Sequence, residues 1–146
     1  MSNQLSLSVQ YASAALHLPT RTQFRRWIKI AVQRNVNITL RIVDEREGRE
    51  LNKNYRGKDY ATNVLTFAYD DSEPLAGDVV ICAPIVEREA AAQHKGLLAH
   101  YAHLTLHAAL HLQGHGHDND ADAAGMEAWE TALMLKLHYP DPYQAN

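Results

Sequence analysis

Residues 107–117 read His-Ala-Ala-Leu-His-Leu-Gln-Gly-His-Gly-His, and this run restricts the chain more than any other. His107 and His111 are four apart, so a helix sets them one turn above the other on a single face. Gly114 follows where a helix commonly stops, because glycine takes the left-handed conformation at no steric cost. The chain can then fold back and bring His117 toward the first two rings. Three imidazoles fill three corners of a tetrahedron and leave the fourth for water, which is the arrangement of catalytic rather than structural zinc. One divalent ion is therefore expected on His107, His111 and His117, zinc first, with nickel or another transition metal also suited to imidazole.

Spacing alone does not settle the matter. Of nine histidines seven fall between His94 and His117, and the pairs His103/His107 and His111/His115 repeat the same interval. A histidine-rich helix face that only packs or titrates is the competing reading. What favours a metal is the company of Leu104, Leu106, Ala108, Ala109, Leu110 and Leu112. An imidazole held among such residues loses solvation, and a metal restores a partner. The residue after the first histidine is Ala108, where zinc peptidases of the His-Glu-x-x-His type carry their general base.

With its leucines and glycine, the run from His107 to His117 resembles the His-Gly-x-Leu-His-Leu-x-Gly-Tyr-Asp-His signature of the YbeY family, bacterial single-strand-specific endoribonucleases of rRNA maturation. Ala108, His115 and Gly116 replace the family's glycine, tyrosine and aspartate, and none of these changes removes a histidine of the signature. Upstream, Leu51-Asn52, Tyr55-Arg56, Asp59 and Thr62-Asn63-Val64-Leu65-Thr66-Phe67 are similar to the family's Leu-Asn, Tyr-Arg and Asp-x-Pro-Thr-Asp-Val-Leu-Ser-Phe blocks. There Ala61, Asn63 and Thr66 stand for proline, aspartate and serine. Gly77-Asp78-Val79 and the pair Met126 and Glu130 extend the likeness, which covers roughly residues 40–135. The resemblance implies a divergent member that acts on single-stranded RNA in 16S rRNA 3′-end maturation and ribosome quality control, with the small ribosomal subunit as its partner.

Composition agrees with one enzyme domain over residues 1–146. A chain of this length can bury about two thirds of its unfolded surface in a single core. Hydrophobic residues make up 46% and charged ones 21%, which excludes disorder. No apolar stretch approaches the roughly 20 residues that span a bilayer, and Met1-Ser-Asn-Gln lacks the opening of a signal peptide, so a cytoplasmic protein without a membrane partner is expected. The single cysteine, Cys82, reads as a buried thiol on a strand. Fourteen basic against seventeen acidic residues leave a formal charge of −3, so contact with RNA needs a local basic patch. The first helix offers Arg21, Arg25, Arg26 and Lys29, with Arg34 beyond, opposite an apolar face of Phe24, Trp27, Ile28, Ala31 and Val32.

Alternation predicts strands at Leu5 to Tyr11 and Val36 to Ile42. Between them a helix opens on Thr20 with Gln23 in capping-box order and closes near Asn35. A short helix over 45–56 capped by Asp44, strands at Val64 to Tyr69 and Asp78 to Cys82, and a helix from Pro84 through Gln93 follow. The histidine helix starts at about Leu97, and a last amphipathic helix runs from Asp122 to Leu137. The expected fold is α+β, a single layer of about four mixed strands packed against helices with the metal-binding helix central.

Phosphodiester cleavage needs a fixed cation for the charge that develops on phosphorus, and Arg56 is the candidate, since the resemblance places that arginine in the family's active-site groove and a guanidinium grips phosphate oxygens two at a time. Asn63 and Asp78 could support the site. Two other readings stay open: a metallohydrolase on another substrate such as a peptide, and a non-catalytic ribosome-associated factor whose metal is structural.

Overall fold

A computed structural model describes residues 4–69, 72–116 and 119–144. Strand β1 (Leu5–Ala12) leads to helix α1 (Arg21–Ala31), then β2 (Val36–Val43), α2 (Glu45–Arg56), β3 (Val64–Ala68), β4 (Leu75–Cys82), α3 (Ala83–Ala92), α4 (Leu97–Leu112) and α5 (Asp120–Lys136). The strands form a mixed sheet in the order β1-β2-β4-β3. The first three run parallel, with Leu5 opposite Val36 and Val36 opposite Leu75, and β3 returns antiparallel with Phe67 opposite Asp78. This is the α+β arrangement that the order of elements predicts.

Alternation decides which face is filled. Val36, Ile38, Leu40 and Ile42 of β2 and Leu75, Val79 and Ile81 of β4 point one way and are buried. Each such aliphatic side chain contributes about 1.5–3 kcal/mol by leaving water. Against them α1 lays Phe24, Trp27, Ile28 and Ala31, the i, i+3, i+4, i+7 stripe of an amphipathic helix. Helix α4 adds Tyr101, Leu106 and Leu110 to the same core, and α5 adds Met126, Leu133 and Met134. Helix α4 is buried over most of its circumference, which matches its nearly continuous apolar sequence. The opposite face is thinner, with Val43, Leu65, Val80 and Cys82 meeting Leu51 of α2 and Ile85 of α3.

Local signals hold at several junctions. The Thr20 side chain accepts from Gln23 N at 3.1 Å while Gln23 Oε1 accepts from Thr20 N at 2.8 Å, so the capping box is complete. Asp44 precedes α2 but makes no side-chain cap; its carboxylate instead accepts from Ser13 Oγ and Ala14 N, pinning the loop after β1. Helix α1 stops at Ala31, short of Asn35, because the Gln113 side chain at the end of α4 accepts from Gln33 N at 2.7 Å and donates to Ala31 O at 2.9 Å. That contact ends one helix and fixes the other. Cys82 is a free, buried thiol. Among the described residues no helix is long and apolar enough to cross a membrane.

Arg21, Arg25, Arg26 and Lys29 of the basic helix are all exposed, and the first two also reach back to β1. Arg21 donates to Val9 O at 3.4 Å and lies over the Tyr11 ring at 4.9 Å, and Arg25 donates to Leu5 O at 3.3 Å. Arg34 lies beyond α1 and pairs with Glu73 at 3.1 Å.

Candidate active site

The histidine run begins inside α4 and ends in a tight reversal. Gly114 has φ +95°, the left-handed value that only glycine adopts without strain. Gly114 N donates to His111 O at 3.0 Å and His115 N to Leu110 O at 3.2 Å, the paired bonds of a Schellman ending. His107 and His111 stack in parallel at the last turns of α4, with ring centres 6.3 Å apart and planes within 4°. His117, the third expected ligand, lies outside the described residues. Among the described residues no group of three or more His, Cys, Asp or Glu side chains is poised to hold a metal.

Behind His107 lies Glu130 of α5, 1% exposed. Its Oε1 accepts from His103 Nε2 at 2.6 Å and from the Tyr143 hydroxyl at 2.9 Å, and its Oε2 faces His107 Nδ1 at 3.3 Å. Burial alone would raise this carboxyl, but hydrogen bonds from His103 and His107 outweigh it and hold it at about 2, so it stays ionised. An ionised carboxylate only accepts, so the His107 nitrogen that faces it carries the proton, which is the tautomer whose Nε2 is able to ligate a metal. A buried carboxylate behind a ligating imidazole is the usual support of a metal-binding histidine. The two nitrogen donors and their backing fit a transition metal such as zinc.

The other histidines of equal spacing are engaged elsewhere. His103 is taken by Glu130, while His115 Nε2 pairs with Gln33 Oε1 at 2.7 Å and its ring meets Trp129 edge-on at 4.7 Å. Asn63 donates to the Glu89 carboxylate at 3.1 and 3.2 Å, and Glu89 in turn meets His100 Nε2 at 2.9 Å. Asp78 projects from the other sheet face, where its carboxylate takes the Tyr69 hydroxyl. Neither residue backs the histidine pair. Arg56 is exposed on the last turn of α2, before Gly57 in the left-handed region. The structure thus brings His107 and His111 together on one element and leaves Arg56 on another. In the sequence Glu130 stands out only as part of a motif with Met126; its further signal is an acid on the buried stripe formed by Met126, Glu130, Leu133 and Met134.

Gly77 ties the two sides. A Cβ there would fall 2.7 Å from Phe67 O and 2.9 Å from Leu112 Cδ2, so only glycine lets the end of α4 lie on the β3–β4 pair.

A model of the family described as Endoribonuclease YbeY matches residues 9–138. The chain belongs to the YbeY family. An Endoribonuclease YbeY of Nitrosomonas europaea is 52% identical over 140 residues, 96% of this chain and 85% of that protein. Its counterpart in Thiobacillus denitrificans is 52% identical over 147 residues, covering 99% of this chain and 100% of the relative. A solution structure of a Thermotoga maritima protein superposes with a TM-score of 0.57 at 20% identity over 94% of this chain and 99% of that one, and so shares the fold. Membership in the family supports a nuclease of the hydrolase class with RNA as its substrate.

Proposed function

We propose that the chain is a metal-dependent, single-strand-specific endoribonuclease that matures the 3′ end of 16S rRNA and takes part in ribosome quality control in the cytoplasm, with the small ribosomal subunit as partner. The observation that carries this reading is the parallel His107–His111 pair, with the buried Glu130 carboxylate behind His107, in a chain of the YbeY family.

His107 and His111, joined by His117, would hold the ion through imidazole nitrogens. A divalent ion there supplies Lewis acidity toward a phosphoryl oxygen and acidifies a water molecule. Glu130 fixes the His107 ring and its proton at Nδ1. Tyr143 and His103 both donate to Oε1 of Glu130, which keeps the carboxylate from turning away. Arg56 is the proposed cation for the charge that builds on the non-bridging oxygens. The peptidase alternative loses ground at Ala108, which is wholly buried and offers no base.

The test is cleavage of a single-stranded RNA, the same RNA annealed to its complement, and an unstructured peptide, by the metal-loaded protein and its His111→Ala variant. Cleavage of the single strand alone, lost with His111→Ala, is the expected result. Peptide hydrolysis, or RNA cleavage indifferent to His111→Ala, would overturn the reading.

A further inference from the structure

The sheet face away from α4 stays half open beside α2, and the opening is a groove of about 610 Å³. That is a volume typical of clefts that take small ligands. Its rim is aromatic. Tyr55 of α2 and Phe67 of β3 lie 4.9 Å apart between ring centres, and Tyr69 continues the wall two residues beyond Phe67. Tyr55 is 68% exposed and Tyr69 64%. Three rings gathered at one opening, two of them mostly in water, mark a contact surface rather than a core.

The floor is polar and ordered by strand register. Gln10 stands opposite Arg41, and Thr39, Asp78 and Phe67 form one cross-strand row. Arg41 is committed to Glu47 through bonds of 2.6 and 3.0 Å and donates to Gln10 at 3.1 Å. Two acids, Glu47 and Asp78, therefore outnumber one base along the groove. Such a floor repels phosphate. It suits flat, uncharged rings whose edges carry amino groups, because carboxylates accept from exocyclic amines of bases.

We propose that this groove is a nucleobase platform: unstacked bases of single-stranded RNA lie against Tyr55, Phe67 and Tyr69 while their edges meet Asp78 and its polar neighbours, and the backbone stays outside. Aromatic side chains take up splayed bases in this way throughout single-strand recognition. The edge strand β3 separates the platform from α4, since Phe67 faces the groove while the end of α4 packs beside it at Gly77. Helix α4, which carries the histidines, packs against β3, so the platform and that helix lie on opposite sides of one edge strand. The assignment rests on the endoribonuclease reading and names the surface that would select single strands.

The experiment compares wild type with Tyr55→Ala, Tyr55→Leu and Tyr55→Phe, reading KM and kcat on a single-stranded oligoribonucleotide and the fluorescence of a 2-aminopurine placed within it. Tyr55→Ala and Tyr55→Leu should raise KM roughly tenfold or more with kcat held, and lose the quenching of the stacked fluorophore. Tyr55→Phe should restore both, since it returns the ring. Unchanged KM and quenching in the alanine and leucine variants would overturn the proposal. So would a change confined to self-association or to binding of an apolar peptide. If wild type bound RNA with Tyr55-dependent quenching yet cleaved none, the platform would stand and the catalytic reading would fall.

Discussion

The two faces of the sheet handle polar chemistry in opposite ways. On the α4–α5 side the polar groups are enclosed: Glu130 is fully buried, His103 is buried with it, and each is the other's partner. On the α2 side Arg41, Glu47 and Asp78 are bonded to neighbours but open to water, beneath rings that are exposed. Enclosure fixes a nitrogen in position, because a buried carboxylate has no solvent with which to exchange its partners. Openness leaves room for a ligand to compete. The first face is built for holding, the second for receiving.

The largest break should come from the enclosed side. His111→Ala is expected to abolish metal retention and RNA cleavage together, checked by elemental analysis and gel assay. Metal content equal to wild type would detach the histidine pair from the metal. Next, Glu130→Gln removes the charge but keeps the shape. We expect metal affinity to fall roughly 10–100-fold and unfolding free energy to drop by about 2 kcal/mol, because two imidazole donors lose a charged acceptor. A chelator competition and a urea melt read these two effects separately.

Gly77→Ala should cost about 1–3 kcal/mol by overpacking, since the added carbon meets backbone at Phe67 and the end of Leu112. It strains the seam between the faces, and a melt unchanged from wild type would show that α4 can shift there freely. Smaller still is a pH effect at His100, 4% exposed. Burial holds its imidazole below the ordinary histidine range, outweighing the hydrogen bond and charge of Glu89, with His103 and Lys95 acting in the same direction as burial. The unfolded chain therefore binds the proton first, so stability is full above the unfolded value of about 6.5 and declines as pH falls below it. Denaturant midpoints at pH 7.5 and 5.5 should show that decline, and His100→Phe should flatten it. Least of all, Arg49→Ala, which breaks an exposed pair with Asp59 at 2.8 Å, should leave the melt unmoved.

What could be read in the sequence was local. The capping box at Thr20, the left-handed turn at Gly114 and the alternation of β2 are each written within a few residues, and each is present. The pairing of parallel β2 with β4, the halt of α1 at Ala31 and the turn of Arg21 and Arg25 onto β1 depend on partners far along the chain. Glu130 is the sharpest case, because its partners His103 and His107 sit on another helix and no interval in the sequence joins them. Asn63 and Asp78 look alike as polar residues flanking strands, yet one caps β3 through Val64 N and the other lines the opposite groove.

Strand β1 is an outer strand of the sheet, and its outward carbonyls at Leu5 and Val9 are occupied by guanidinium groups from the neighbouring helix. An open β-edge recruits strands from any chain that drifts past, its own copies included. Arg21 and Arg25 insulate that margin with charge. They spend two of the chain's fourteen cations on a margin that would otherwise lie open to pairing with a second copy.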